Sequence, residues 1–355
     1  MQKLKVGIIG LNFGLSCHLP AFKKNKKCNV IALCSNNINK AKISAKKNNI
    51  PFFFNKWKYM LDSLDFDLVS IAVPPIEQEK IINYCLKKSI PVFAEKPLAT
   101  NIKIVKKIFN LQKKLKIPCS IDFEFPEVDE FIAAKKILES KKFGSIKSIN
   151  ISLKYQSETN FLKKDSWKNN INYGGGILNN VIPHIFFYIE WFFEPIISLS
   201  AFLFSEKKYK YSGYTNALVL MKFASGVEGI INASNNIIGL NEHIITFSNE
   251  NGFITLESKG NDWVTEFKLY TINKKLVKKN ILIKKRKKIN KLDARTYLVS
   301  KIVNRLIKSI LLKQQTFPSF KSGFRTQYLV ENAIKSHKYK NKWIKLKSNN
   351  FLVKI

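Results

Sequence analysis

Apolar and polar positions alternate along the first 120 residues on two length scales. Short, near-continuous apolar runs at 5–9, 30–34, 68–73, 91–94 and 119–123 have the length and character of strands buried on both faces. Between them lie stretches with helical spacing: from the turn at 10–14 to about 25, onward from about 38, from Pro74-Pro75 to 88, and over 102–115.

Strands and helices alternating through short links predict a parallel sheet covered on both faces. Right-handed crossovers then wind it into a Rossmann-type domain. Past Pro126 the pattern changes. One amphipathic helix (128–140) leads into long alternating runs at 146–155, 196–204, 217–223, 227–233, 244–247 and 253–256. The pairs Ser225-Gly226 and Asn251-Gly252 supply hairpin turns between successive strands. The expected fold is therefore α/β: a doubly wound parallel sheet over 1–122, then a C-terminal α+β domain with a large, mostly antiparallel open sheet over 123–355. A sheet with one face uncovered is an expected surface for homo-oligomer formation. Two helices, 293–312 and 320–337, precede a last strand at 343–346. The basic run 274–291, centred on Lys284-Lys285-Arg286-Lys287-Lys288, reads as a solvated connection in preference to an anion site.

Charge tests that picture without overturning it. Lys and Arg number 61 against 25 Asp and Glu, a formal +36 in 355 residues, which raises nucleic acid or an anionic membrane as partners. Only four of the basic residues are Arg (Arg286, Arg295, Arg305 and Arg325), and Arg is the residue that phosphate and base recognition favour. Spread as Lys through a chain rich in Asn, Ile and Phe, the excess reads as compositional drift, so neither partner is expected. The five cysteines (Cys17, Cys28, Cys34, Cys85, Cys119) make no C-x-x-C pair, and several sit in apolar runs, as in a reducing compartment. The first five residues run straight into a strand without a signal-peptide pattern. The most apolar stretch, 181–197, contains His184, Glu190, Glu194 and two prolines, which argues against a membrane span. A soluble, cytoplasmic protein is expected.

Three segments carry candidate chemistry. The turn after the first strand, Gly10-Leu11-Asn12-Phe13-Gly14, can bring backbone close to a pyrophosphate at a helix N-terminus. It is one residue short of G-x-G-x-x-G, and Asn12 holds the middle position, where a left-handed conformation is tolerated. At the end of the second strand stand Ser35 and Asn36, with Lys40 nearby, where NAD-specific domains place a carboxylate on the ribose 2′-OH. Both NAD and NADP are open, and NADP is slightly favoured. Next, Glu95-Lys96-Pro97 closes a strand, so Lys96 points into the crevice at the carboxyl edge, where an ammonium can stabilise charge on a reacting oxygen. Lastly, Trp167 precedes Gly174-Gly175-Gly176, whose glycines permit close backbone approach to a ligand, and Asn180 and His184, four apart, would share one helix face. Taken alone, His184 reads more readily as a satisfied core histidine than as a site residue, and the surrounding glycine-led pattern reverses that.

Together these segments, with His18-Leu19-Pro20-Ala21-Phe22, Ala72-Val73-Pro74-Pro75 and Pro318-Ser319-Phe320, resemble the Gfo/Idh/MocA family of NAD(P)-dependent oxidoreductases over nearly the whole chain. The resemblance implies hydride transfer between nicotinamide and a carbon of a sugar, cyclitol or nucleotide-sugar. It implies Lys96 as the lysine holding substrate and cofactor and His184 as the proton acceptor or donor. It also lines the cofactor with Gly10, Asn12, Phe13, Gly14, Ser35, Asn36, Lys40, Val73, Pro74, Pro75, Gln78 and Glu95. Trp167 and Asn180 would face the substrate. Three departures bear on this: Asn180 stands where the family often has Asp, Asp122 and Glu124 where it often has Asn and Arg, and Gln78 for a frequent His. Asp122 and Glu124 would give the substrate an acidic wall. The competing expectation is a non-catalytic NAD(P)-binding sensor on the same fold.

Overall fold

A computed structural model describes residues 3–140, 143–158, 166–205, 212–260, 262–283 and 292–347. The chain forms two compact units, one of Met1–Glu124 with Ile289–Phe324 and the other of Phe125–Lys288 with Arg325–Ile355.

The first unit holds a six-stranded sheet of β1 (Leu4–Ile9), β2 (Cys28–Cys34), β3 (Phe52–Phe54), β4 (Leu68–Ile71), β5 (Val92–Ala94) and β6 (Cys119–Ile121). Every pairing is parallel and the order is β3-β2-β1-β4-β5-β6, the doubly wound arrangement, whose direction reverses between β1 and β4. Strand β4 is buried along its whole length, as a strand covered on both faces must be. The crossovers are a helical segment that begins as one turn of π-helix (Gly14–His18) and continues as α1 (Leu19–Lys23), then α2 (Ile38–Lys47), α3 (Trp57–Ser63), α4 (Pro75–Lys87) and α5 (Ile102–Leu115). Asn37 and Asn101 cap α2 and α5 through side chains that accept from Lys40 N and Ile104 N.

The pattern of apolar runs missed β3 and α3. Phe52 and Phe53 are exposed on a three-residue edge strand, so they show no buried-strand signature. Beyond the expected boundary at 122/123, the chain re-enters this unit. Helix Arg295–Leu311 buries Val299, Ile302, Val303, Leu306 and Ile307 in one cluster with Val6, Ile8, Leu19 and Phe22.

The second unit carries a nine-stranded sheet: β7 (Ser148–Lys154), β8 (Ile196–Phe204), β9 (Asn216–Phe223), β10 (Glu228–Ser234), β11 (Glu242–Asn249), β12 (Gly252–Ser258), β13 (Lys268–Asn273), β14 (Lys278–Ile281) and β15 (Ile344–Lys345). The order is β14-β13-β12-β11-β7-β10-β9-β8-β15, antiparallel throughout except for β7 beside β10. Ile149, Ile151 and Leu153 of β7 alternate with more exposed Asn150 and Ser152, the period-two pattern of a sheet packed on one face. Helices α6 (Asp129–Glu139) and Ile182–Phe192 cover that face, with Phe131 on Phe267 and Phe192 on Phe247. The opposite face leaves Phe202, Phe204 and Ile230 exposed. Part of the run expected as a connection from 274 is instead the β13–β14 hairpin, where Lys278 Nζ sits 3.8 Å over the Tyr270 ring. Its Lys/Arg-rich centre, 284–288, lies outside the described residues.

A buried ion pair, Arg325 with Glu190, lies in this unit. Arg325, 2% exposed, forks onto Glu190 at 2.6–3.1 Å and donates to Ile196 O at 2.7 Å. Among the described residues no helix is long and apolar enough to cross a membrane.

Candidate functional site

The glycine turn sits at the β1–β4 reversal, outside the carboxyl ends of the strands, where open α/β sheets take ligands. Gly10 has φ +96°, and a Cβ there would lie 2.2 Å from Ala72 O, so only glycine lets the turn close against the end of β4. Asn12 O accepts from Leu15 N and Ser16 N and so starts the helical segment. The backbone N–H groups of Asn12, Phe13 and Gly14 have no protein acceptor among the described residues, which leaves three donors at a helix start, as an anionic pyrophosphate requires. The turn fits a dinucleotide on that ground. Val73 flanks it just past the end of β4, and Pro74 leads into α4, which Pro75 opens.

The end of β2 carries no carboxylate. Ser35 is buried, and its Oγ accepts from Asn37 N at 3.3 Å; Asn36 is exposed. Lys40, in the first turn of α2, donates from Nζ to Asn12 Oδ1 at 2.6 Å. Two expected cofactor residues from different crossovers are thus brought together. A contributor that sequence reasoning missed is Arg295, whose guanidinium lies 4.4 Å over the Phe13 ring while forking onto Asp293. It comes from the returning segment, far from the turn in sequence, and helical spacing marks it only as a position on a helix.

Glu95 and the half-buried Lys96 follow β5 directly. Gln78, expected at the cofactor, is instead 1% exposed and donates through Nε2 to Glu95 O and Pro97 O, at 2.6 and 2.8 Å. Its place is to hold the backbone on both sides of Lys96.

Behind this strand end lies a buried charge cluster. His18 is fully buried; its Nδ1 is 2.8 Å from Ser70 Oγ, and its Nε2 is 3.1 Å from Glu95 Oε1 and 3.5 Å from Asp122 Oδ2. Burial alone would push the imidazole down, but hydrogen bonds and charges from Asp122 and Glu95 outweigh it and raise His18 to about 9. Burial also pushes Glu95 up, yet the His18 hydrogen bond and charge and the Lys96 charge hold it below the usual range. Asp122 is raised to about 6, chiefly by burial. Glu124 is raised to about 8 by burial and the neighbouring Asp122 charge. The expected acidic wall is therefore not two free carboxylates. Asp122 is 1% exposed and faces a cation, and Glu124 is also buried, its carboxyl pushed up to about 8. His18 is not among the site residues expected from the sequence, which marks it only as the start of the His18-Leu19-Pro20-Ala21-Phe22 run that helps carry the resemblance and as one of four histidines.

In the second unit the three glycines serve the protein's own backbone. A Cβ on Gly175 would lie 2.3 Å from Trp167 O, and Gly176, with φ +87°, donates to Lys168 O at 2.7 Å. Asn180 Nδ2 donates to the same Lys168 carbonyl at 2.7 Å, so Asn180 is tied to the loop that carries half-buried Trp167. Asn180 and His184 do not share one helix. A short helix, Ile177–Asn180, ends at Val181 (φ −124°, ψ −45°), and Ile182–Phe192 begins anew. Pro183 explains the break: it has no N–H to donate, and its ring clashes with the carbonyl four residues back. His184 is buried, with its ring edge-on to Phe125 at 5.2 Å.

Comparison with known proteins follows the same two-part division. Residues 4–123 match the model of the oxidoreductase family, NAD-binding Rossmann fold, and residues 131–255 match the GFO/IDH/MocA C-terminal domain. An uncharacterised oxidoreductase of Synechocystis is 24% identical over 355 residues, covering 96% of this chain and 95% of that one. Levoglucosan dehydrogenase in complex with NADH and L-sorbose superposes with a TM-score of 0.85 at 18% identity, over 98% of this chain and 100% of that one. An oxidoreductase from Agrobacterium radiobacter in complex with NAD+, L-tartaric acid and magnesium gives 0.80 at 18% identity, over 97% and 98%. At such identities the solved structures establish the fold, while the two matched domains, in order along one chain, establish the lineage. This chain is an NAD-binding oxidoreductase of the Gfo/Idh/MocA family.

Proposed function

We propose that the protein is an NAD(P)-dependent dehydrogenase or reductase acting on a CH–OH carbon of a sugar, cyclitol or nucleotide-sugar. The observation that carries this is Lys96, half-buried at the carboxyl end of β5 and braced by Gln78, in a sheet whose first turn fits a dinucleotide. The sugar class is supported by a structural neighbour named levoglucosan dehydrogenase. Bound nicotinamide supplies hydride exchange. The Lys96 ammonium hydrogen-bonds the reacting hydroxyl and steadies negative charge on its oxygen, and His184 takes the proton in oxidation or gives it in reduction. Trp167 and Asn180 help hold the substrate, Asn180 by orienting a hydroxyl without acting as a base. The cofactor is NADP or NAD, with NADP slightly favoured on the ground of Lys40 and the lack of a carboxylate at Ser35 and Asn36. The open sheet face, with exposed Phe202, Phe204 and Ile230, forms the homo-oligomer interface.

Thermal-shift titration with NADPH and NADH comes first, since a ligand of the folded state raises its melting point. Absorbance at the nicotinamide band is then followed with levoglucosan, L-sorbose and a panel of sugars and nucleotide-sugars. Turnover lost about 100-fold or more in both Lys96→Ala and His184→Ala, with cofactor binding kept, is the expected result. Turnover intact in both would sink the assignment. A non-catalytic sensor is the second reading, favoured by the helix break that separates Asn180 from His184. It predicts cofactor binding with no hydride exchange across the panel.

A further inference from the structure

Asp122 is the anomaly of the buried cluster in the first unit. It is 1% exposed, and neither of its carboxylate oxygens has a hydrogen-bond partner among the described residues. His18 Nε2 carries one hydrogen at most, and Glu95 Oε1, at 3.1 Å, is better placed for it than Asp122 Oδ2 at 3.5 Å. A buried carboxylate left without a donor is costly unless a charge meets it. One imidazolium balances one carboxylate, and two are gathered here. Lys96 steadies Glu95, while the positive charge that acts on Asp122 is His18 itself.

We propose that His18 Nε2, Glu95 and Asp122 form a three-ligand site for a divalent cation of the zinc type. Their donor atoms all lie within 4.8 Å of one another. Ligands about 2.0–2.2 Å from one tetrahedral zinc stand about 3.3–3.6 Å apart, close to the spacing of Nε2 from the two carboxylates. One imidazole with two carboxylates suits a borderline ion such as zinc better than magnesium, which gives up its waters reluctantly. The far side of the ring is also prepared. Nδ1 lies 2.8 Å from Ser70 Oγ, an outer partner that takes the Nδ1 hydrogen and so leaves Nε2 to ligate. The ion takes the place of the Nε2 proton, which passes to solvent, and its two charges balance both carboxylates. The rings of Phe13 and Phe93 pack against the imidazole, and Glu95, with a side chain 18% exposed, gives the ion its way in. None of this rests on the roles proposed for Lys96 and His184.

The full chain, stripped with a chelator and titrated calorimetrically with zinc chloride at about pH 7.5, tests this without a substrate. One ion per chain is expected to bind, with a dissociation constant below about 10 μM. Asp122→Asn and His18→Gln should each weaken it at least tenfold, and Ser70→Ala about tenfold through the outer partner. X-ray absorption of the zinc-loaded parent should show nitrogen and oxygen at about 2.0–2.1 Å, with one imidazole and no sulfur. No binding to the parent overturns the proposal. Binding of parental strength in either ligand variant that keeps a cooperative melt also overturns it, as an adventitious ion only. Sulfur ligation, or no imidazole at the metal, does the same and decides the matter if neither variant folds. An inert sugar panel would count against the proposed reaction and leave this test standing.

Discussion

Lys40 Nζ bonds Asn12 Oδ1 at 2.6 Å, so the first turn of α2 is tied to the dinucleotide turn across 28 residues. The bond places an ammonium between the phosphate-binding backbone and the end of β2, where an adenosine ribose lies in this fold. Asn12 thus gives the lysine an acceptor where a glycine would give none. Replacing Lys40 with Ala should weaken NADPH about tenfold, the worth of one charge-assisted hydrogen bond, and leave NADH within about twofold. Fluorescence titration of both cofactors at two salt concentrations checks this, and equal losses for the two would remove Lys40 as the selective group.

Gly10→Ala should lower stability by about 2 kcal/mol or more, because a Cβ at φ +96° meets Ala72 O at 2.2 Å. Cofactor binding should fall with it, since the turn cannot close. Denaturant melts of the variant and the parent measure the first effect, and a melt within error of the parent would contradict the geometry.

The buried cluster sets a direction for pH dependence. His18 is raised from 6.5 to about 9, so its contribution is fully present below about 6.5 and is lost as pH rises through about 9. Asp122 and Glu124, raised to about 6 and about 8, also favour the protonated form in the folded state and so lose stability in the same direction. His243 runs the other way: burial lowers it to about 3, so it is kept neutral and its contribution is lost in acid. Melting temperature should therefore fall from about pH 6.5 to about pH 9.5, and the gap between parent and His18→Gln should narrow over that interval. A gap that widens toward alkali would show the wrong sign.

Arg325 and Glu190, 2% and 5% exposed, should not be separable. Arg325→Met should cost about 3–5 kcal/mol by stranding a buried carboxylate, while Glu190→Leu combined with Arg325→Met should recover most of it. A double-mutant cycle by denaturant unfolding measures the coupling, and additive losses would mean the pair is not a unit.

Much of this molecule was legible in its pattern of apolar positions, for a physical reason. Strands such as Leu68–Ile71, buried on both faces, must read as apolar runs, and Ser148–Lys154, packed on one face, must alternate. What stayed hidden depends on partners. Phe52–Phe54 and Lys278–Ile281 are edge strands whose side chains are mostly exposed, so they carry no inward signal. The break at Val181 follows from Pro183 inside a helical pattern, a local cue overridden by the appeal of a four-residue spacing. The cluster at His18 was invisible because it is created by strand order: only when β4, β5 and β6 lie side by side do Ser70, Glu95 and Asp122 converge on one ring.

The return of Arg295–Leu311 to the first unit bears on how the protein can be taken apart. A fragment ending at Glu124 would lack the helix that covers Val6, Ile8, Leu19 and Phe22, and would present that apolar surface to water. No single scission frees a nucleotide-binding module. An isolated first half should aggregate, whereas a fragment in which 289–324 is rejoined to residue 124 through a linker should remain in solution. In this chain the cofactor domain is assembled from two stretches far apart in sequence, and exchange of modules between relatives would have to carry both pieces at once.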